Sequence, residues 1–208
     1  MATNVYIDGF NFYYGCIRGT PYHWLDLEAF SRRLLPNETI NRIRYFTARV
    51  SGRVDPDAPK RQAVFLRALG TLPLVSIHYG HFLTNRVWMP LADPPINGPK
   101  KVRVLKTEEK GSDVNLASQL LLDGFRADYD TAVIVSNDSD LVEPVKIARY
   151  ELGLRVGILN PHPAHKRSRE LSAEAHFFKQ IRPSALAASL FPSTLVDSRG
   201  QFTKPTSW

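Results

Sequence analysis

Cysteine is almost absent from this chain of 208 residues, because Cys16 is the only one. A disulfide within the chain and a metal site built from several cysteines are therefore both excluded. No apolar run approaches the roughly 20 residues that span a bilayer. The opening "MATNVYIDGF" reaches an acid too early for the apolar core of a signal peptide. Together these absences predict a cytoplasmic protein that has no membrane partner.

Nucleotide-binding signatures are missing as well. No G-x-G-x-x-G or P-loop motif occurs, which counts against a dinucleotide- or ATP-dependent enzyme. The remaining composition, 43% hydrophobic and 23% charged, is typical of a soluble globular protein. A chain of this length is sufficient for one α/β domain with a substantial core.

Positive charge is in excess, with 27 basic against 20 acidic residues and a net charge of +7. Such an excess favours polyanions as partners, and RNA or DNA is the usual one. The segment "GPKKVRVLKTEEKGSD" holds the densest group of cations: Lys100, Lys101, Arg103, Lys106 and Lys110. A looser group occurs earlier in the chain: Arg32, Arg33, Arg42, Arg44, Arg49 and Arg53.

Strand-like and helix-like segments alternate along the chain. The strand-like segments are "NVYI", "RIRYFTARV", "LVSIHYGHFL", residues 131–136 and residues 154–159. The helical segments are Leu25–Leu35, Lys60–Leu69, residues 111–126 and residues 141–152. This alternation predicts an α/β fold, a three-layer α/β/α arrangement around a mostly parallel central sheet.

The predicted domain covers residues 1–182 and carries one insertion. The Pro-rich stretch Met89–Lys101 indicates an inserted loop at about residues 84–103. Residues 183–208 are expected to form a C-terminal extension, packed on the domain or trailing from it, with a short helix at Ala185–Leu190 and a hairpin around "DSRG".

Aspartates follow two of the predicted strands. Asp8 comes directly after "NVYI", and Asp138 and Asp140 follow "TAVIV". In open α/β sheets, functional groups gather at the carboxyl ends of the strands. Carboxylates brought together there repel one another unless a cation neutralises them, and Mg²⁺ or Mn²⁺ prefers such oxygen ligands. Asp140 fits equally well as a helix cap, with Glu143 three residues later.

A third acid, Asp113, lies in the first turn of the helix predicted over residues 111–126. One face of that helix consists of positions 113, 117, 120, 121 and 124, and all of these residues except Asp113 are small or apolar. Asp113 is therefore expected to point inward toward the sheet, although Ser112 or Asp113 also suits a capping role. Asp123 lies off this face and is expected to be solvated or structural.

Three ordered segments resemble the NYN family of PIN-like ribonucleases: "YIDGFNFYYG", "EKGSDVNLASQLLLDGF" and "YDTAVIVSNDSDLVEPVKIARYELGLRVGIL". The resemblance extends from Val5 to Leu159. It implies a Rossmann-like α/β/α fold and divalent-metal-dependent cleavage of RNA. It also implies the catalytic and metal-binding acids, which are Asp8, Asp113, Asp138 and Asp140. Many members of the family have glycine and phenylalanine where this loop has Asn137 and Leu141, and neither difference removes an acid.

Substrate contacts are expected from both polar and basic residues. By resemblance, Asn11 assists the site from the turn after the first strand, and Ser136 orients a carboxylate or a phosphate. The basic residues expected to hold the RNA backbone are Lys110, Lys100, Lys101 and Arg103. The aromatic residues near the first motif suit either base stacking or the core: Phe10, Phe12, Tyr13 and Tyr14.

Three other functions remain open at this point. A phosphatase of the haloacid dehalogenase type would carry D-x-D after the first strand, whereas Asp8 is followed by Gly9 and Phe10. An RNA-binding module without catalysis would gain nothing from clustered acids that repel RNA. A structural interaction protein is suggested only by the Pro-rich loop and the tail. The sequence leaves the oligomeric state open, and a homo-oligomer is among the states it allows.

Overall fold

The computed structural model describes residues 1–208. Its ten strands are β1 (Ala2–Asp8), β2 (Thr39–Thr47), β3 (Val75–Tyr79), β4 (His81–Pro90), β5 (Lys101–Lys110), β6 (Thr131–Val135), β7 (Arg155–Asn160), β8 (Phe177–Gln180), β9 (Thr194–Asp197) and β10 (Gly200–Thr203). Its seven α-helices are α1 (Gly9–Phe12), α2 (Leu27–Leu34), α3 (Ala58–Leu69), α4 (Ser112–Phe125), α5 (Val142–Lys146), α6 (Arg169–Glu174) and α7 (Pro183–Ala187). None of the helices has the length and apolar character needed to cross a bilayer.

Six strands form the central sheet in the order β3-β2-β1-β6-β7-β8. Every neighbouring pair in this sheet is parallel. The chain starts in the middle with β1, moves outward through β2 and β3, and then returns to place β6 on the other side of β1. The boundary between β1 and β6 is therefore the switch point of the sheet, where such folds open a crevice at the carboxyl ends of the strands.

Helices cover both faces of the sheet, which confirms the predicted three-layer α/β/α architecture. Side chains alternate along β1, so that Val5 and Ile7 join one core cluster while Tyr6 joins the other. The first cluster includes side chains from α2, α3 and α7, and the second includes side chains from α4, α5 and α6. Strands β1, β6 and β7 are buried on both faces because helices cover them from two sides, whereas the edge strands β3 and β8 are only partly buried.

Strands β4 and β5 form a separate antiparallel hairpin that pairs His81 with Lys110 at its base and Pro90 with Lys101 at its far end. The inserted loop predicted at about residues 84–103 is therefore wrong in its extent, since only residues 91–100 are loop. Proline and glycine are dense only near the tip, and their density concealed the strands on either side. The predicted single strand "LVSIHYGHFL" is also wrong, because it is divided at Gly80 between β3 and β4.

Residues after Arg182 pack on the main domain. Leu186, Phe191 and Phe202 belong to the same core cluster as the first face of the sheet. Arg67 of α3 donates two hydrogen bonds, of 2.8 and 2.6 Å, to the carboxylate of Asp197. The hairpin predicted around "DSRG" is confirmed as the β9–β10 pair.

Candidate functional site

Three of the four predicted acids meet at the switch point. Asp8, Asp113 and Asp138 each offer a carboxylate oxygen, and these three oxygens lie within 4.8 Å of one another. Asp8 is the last residue of β1, Asp138 follows β6, and Asp113 is in the first turn of α4. The topology alone brings Asp8 and Asp138 together, because β1 and β6 are parallel neighbours.

Hydrogen bonds fix the carboxylate of Asp8. Its Oδ1 accepts from the backbone N–H of Asn11 at 3.0 Å, and its Oδ2 accepts from the Ser136 hydroxyl at 2.9 Å. The Ser136 Oγ in turn accepts from the backbone N–H of Asp138 at 3.1 Å, and the Asn11 Oδ1 accepts from that of Asn137 at 3.0 Å. Asn11 and Ser136 thus link the loops after β1 and β6 and orient the acids.

Gly9 allows the turn after Asp8 to lie against β2. A Cβ at this position would be pushed against the Phe46 carbonyl oxygen and the Tyr45 ring. The absence of a side chain therefore lets α1 begin immediately after Asp8, whose carboxylate caps the helix through the N–H of Asn11.

Burial and mutual repulsion disfavour the charged forms of two of the acids. Burial raises the pKa of Asp8 from 3.8 to about 6, and the nearby carboxylates of Asp113 and Asp138 add to the rise. Burial also raises the pKa of Asp113, with further contributions from Asp138, Glu109 and Asp140. A set of oxygen ligands that repel one another in this way fits a hard divalent cation such as Mg²⁺ or Mn²⁺.

Glu109 is an acid at this site that the sequence reasoning missed. Its carboxylate accepts from the backbone N–H of Ser112 at 3.1 Å and from the Ser112 hydroxyl at 2.6 Å, which caps α4. Gly111 makes this turn possible by adopting a φ of 96°, a conformation that favours glycine. Glu109 lies in β5, so its direction depends on the side-chain alternation of a hairpin that was predicted to be a loop over most of its length.

Asp140 lies at the rim of the site. It is exposed and stands outside the group of three mutually close carboxylates. Its backbone N–H donates to Asp138 Oδ1 at 3.1 Å, and its charge contributes to the raised pKa of Asp113. Asp140 therefore acts on the site at longer range than the other three predicted acids.

Asp123 is not solvated, which corrects one of the two expectations for this residue. It is 2% exposed, and its carboxylate accepts from Arg44 Nε at 2.6 Å and Arg44 Nη2 at 2.7 Å. The Tyr6 hydroxyl donates to the same carboxylate at 2.8 Å. The buried face of α4 is Ser112, Leu116, Leu120 and Asp123, so the predicted inward face was rotated from the observed one. An arginine from β2 neutralises the acid, and one segment of sequence cannot reveal such a partner.

The predicted basic residues fall into different environments. Lys110 lies near the site but pairs with Glu108 at 3.6 Å, and Lys106 pairs with the same carboxylate at 2.7 Å. Lys100, Lys101 and Arg103 are exposed at the far end of the hairpin. Since a strand rises about 3.3 Å per residue and Arg103 is seven positions from Lys110, Arg103 lies roughly 23 Å from the base.

An aromatic pocket opens beside Asp8 on the side of Gly9. Its volume is about 580 Å³, which suits a small organic molecule or one or two nucleotides. Aromatic side chains form a large part of its wall: Phe10, Phe12, Tyr13, Tyr14, Tyr22, His23, Tyr45, Phe65 and Trp208. Trp208 stacks on the His23 ring at 5.3 Å, so the C-terminal segment closes one side of the pocket.

Comparison with known proteins places this site in a family. The profile of the NYN domain matches residues 2–182. This chain belongs to the NYN domain family. A relative from Pseudomonas putida (strain DSM 28022 / S16), 6-hydroxy-3-succinoylpyridine 3-monooxygenase HspA, is 34% identical, and the match covers 100% of this chain and 75% of that protein.

A solved structure shows the same fold. The protein of unknown function VPA0982 from Vibrio parahaemolyticus RIMD 2210633 superposes with a TM-score of 0.55 and 17% identity, covering 91% of this chain and 96% of the other. The NYN domain and the acidic cluster together fit a metal-dependent nuclease.

Proposed function

We propose that this NYN domain protein is a divalent-metal-dependent ribonuclease that hydrolyses RNA phosphodiester bonds at its aspartate cluster. The observation that carries the proposal is the meeting of Asp8, Asp113 and Asp138 within 4.8 Å at the switch point of the sheet. Repulsion between a buried carboxylate and its two neighbours destabilises the fold, whereas oxygen ligands grouped in this way suit a hard cation.

Asp8, Asp113 and Asp138 would hold Mg²⁺ or Mn²⁺, and Asp140 adds negative charge at the rim. A bound ion of this kind lowers the pKa of a coordinated water and neutralises charge on a phosphate oxygen. Asn11 and Ser136 keep the carboxylate of Asp8 in a fixed direction, so that the site does not reorganise during the reaction. Substrate binding is assigned to lysine and arginine side chains outside the cluster, because the acids themselves repel the RNA backbone.

The test is cleavage of end-labelled single-stranded RNA by the purified protein, followed on a gel. We expect cleavage with Mn²⁺ or Mg²⁺ and none with excess EDTA, and restoration when Mn²⁺ is added back. A protein that binds the RNA equally well in all conditions but never cleaves it would be a binding module and would contradict the proposal.

Location in the cytoplasm remains a prediction from the single cysteine.

A second candidate function is oxygenation of a small heteroaromatic molecule. The observation that favours it is the aromatic pocket of about 580 Å³ beside Asp8. All of this chain matches 75% of a relative named 6-hydroxy-3-succinoylpyridine 3-monooxygenase. Flat rings bind well between aromatic side chains. Quenching of tryptophan fluorescence by 6-hydroxy-3-succinoylpyridine, lost on Trp208→Ala, would support this candidate. Binding without any oxidised product in the presence of O₂ and reduced nicotinamide would count against it.

A further inference from the structure

The hairpin of residues 81–110, which we call the arm, has two chemically different faces. In an antiparallel ladder, directly paired residues lie on the same face, and successive pairs alternate between faces. The pairs Phe82–Glu109, Arg86–Leu105, Trp88–Arg103 and Pro90–Lys101 therefore share one face, which we call the inner face. Lys106, Glu108 and Lys110 lie on the other, outer face.

The inner face begins at the aspartate cluster. The Phe82 ring packs edge-on against Phe10 with centroids 5.5 Å apart, and Phe10 lies two residues after Asp8. Glu109, paired with Phe82, caps the helix that carries Asp113. Both base residues of the inner face thus touch elements that position the acids, which makes this face continuous with the site.

Unpaired cations continue along the inner face away from the site. Arg86, Arg103 and Lys101 form none of the ion pairs of the protein. Glu109 at the base is the only acid on this face. On the outer face, by contrast, Glu108 pairs with Lys106 at 2.7 Å and with Lys110 at 3.6 Å.

Trp88 adds an aromatic surface among these cations. This residue is 66% exposed and is paired across the ladder with Arg103. A large exposed aromatic side chain beside unpaired arginines is the combination that proteins use to stack an unpaired base and hold the adjacent phosphates. The bases of a duplex are already stacked on one another, so this arrangement favours a single strand.

We propose that the inner face of the arm is a track for single-stranded RNA that leads into the aspartate cluster. Arg86, Arg103 and Lys101 contact phosphates, and one base stacks on Trp88. Lys101 and Glu109 are eight positions apart along β5, so the track extends over roughly 26 Å, enough for several nucleotides. The inference rests on the proposed ribonuclease function, and it replaces Lys110 by Arg86 among the RNA contacts.

Salt-dependent binding of a fluorescein-labelled single-stranded RNA, measured by anisotropy with the full chain in EDTA, tests the track. Each lost phosphate contact reduces the slope of log K against log salt by about 0.7 for a single strand. We expect Arg86→Ala and Arg103→Ala each to lower the slope by about that amount and to weaken binding. Lys106→Ala removes the same charge from the outer face of the same arm and should leave both quantities unchanged.

Trp88→Ala separates stacking from charge. Loss of one stacking contact should weaken single-strand binding about tenfold, with the salt slope unchanged and duplex RNA binding little affected. Trp88→Phe, which retains an aromatic ring, should recover most of the lost affinity. Melting temperatures within experimental error of wild type confirm that these exposed substitutions leave the fold intact.

Several results would overturn the inference. If the arginine variants and Lys106→Ala share one wild-type slope while wild type still cleaves RNA with Mn²⁺, the track is wrong and the ribonuclease proposal stands. If wild type neither binds nor cleaves RNA, both proposals fail. If sedimentation shows a dimer that Trp88→Ala dissociates, and RNA binding does not depend on Trp88, the inner face is a contact between two copies of the chain.

Discussion

Replacing Asp8 by asparagine should stabilise the metal-free protein, even though Asp8 belongs to the proposed catalytic site. Asparagine keeps the size of the side chain and removes a charge that is buried beside two other carboxylates. Its Oδ1 can still accept from the N–H of Asn11, as the carboxylate does at 3.0 Å. The amide nitrogen cannot accept from Ser136, so the bond of 2.9 Å between that hydroxyl and Asp8 is lost.

The size of the effect follows from the raised pKa of Asp8. A rise from 3.8 to about 6 means that the charged form destabilises the fold by about 3 kcal/mol at neutral pH. Loss of the Ser136 hydrogen bond offsets roughly 1 kcal/mol of the gain. The net gain in unfolding free energy is therefore about 2 kcal/mol, equivalent to a melting temperature higher by roughly 4–8 °C in a chain of this size.

The sign of the pH dependence follows from the same shift. A carboxyl group whose pKa is raised in the folded state has no effect below its unfolded value, because both states are then protonated. Its destabilising effect grows as the pH rises from 3.8 to about 6 and is constant above that range. The net advantage of Asp8→Asn over wild type should thus shrink by about two-thirds between pH 7.5 and pH 5, because the charge effect halves while the cost of the lost Ser136 hydrogen bond stays constant.

Urea unfolding in EDTA at these two pH values measures the difference, with Asp57→Asn as the control because Asp57 is an exposed aspartate outside the site. Saturating Mn²⁺ should reverse the order, since a ligand at 100 times its dissociation constant adds about 2.7 kcal/mol to a protein that binds it. The reasoning is refuted if Asp8→Asn is less stable than wild type in EDTA at pH 7.5, or if Mn²⁺ stabilises both proteins equally.

Two further predictions concern neighbouring residues. Asp123→Asn should lower the unfolding free energy by about 3 kcal/mol, because it leaves the buried Arg44 without its counter-charge. The control Asp57→Asn should change it by less than about 0.5 kcal/mol. Equal urea midpoints for the two variants would show that the buried ion pair is unimportant. Ser136→Ala removes a hydrogen bond to the charged form of Asp8, so the pKa of Asp8 should rise further. Calorimetry at pH 6 should therefore show weaker binding of Mn²⁺ than to wild type. Unchanged affinity would mean that Ser136 does not orient the carboxylate.

The identity of the buried strands and the position of the acids were accessible from sequence because each depends on a local signal. Apolar runs such as "TAVIV" mark buried strands, and an acid directly after such a strand lies at the carboxyl edge of a parallel sheet. Asp8 and Asp138 were predicted correctly to lie together, because β1 and β6 are neighbours. Asp113 reaches the same site from the first turn of α4, and the helical periodicity of the sequence predicted the extent of that helix correctly.

The features that the sequence did not reveal depend on contacts between distant segments. The helical periodicity places Asp123 beside the predicted inward face, and its burial is explained only by its ion pair with Arg44 from strand β2. Most of the arm, about residues 84–103, was predicted to be a loop because proline and glycine at its tip outweighed the weak alternation of its strands. Glu109, Arg86 and Trp88 were therefore not recognised, since their faces are defined only by the register of the hairpin.

Single-turnover cleavage of RNA by wild type, Asp138→Asn and Asp57→Asn, with binding measured on the same samples, tests the central claim most directly. Asp138→Asn removes one of three clustered carboxylates, so cleavage with Mn²⁺ should fall by orders of magnitude. RNA affinity should hold or rise, because the phosphate contacts remain and repulsion by the acids decreases. Asp57→Asn should match wild type in both measurements. Cleavage by Asp138→Asn at the wild-type rate would contradict the claim that the aspartate cluster is the catalytic site of a ribonuclease.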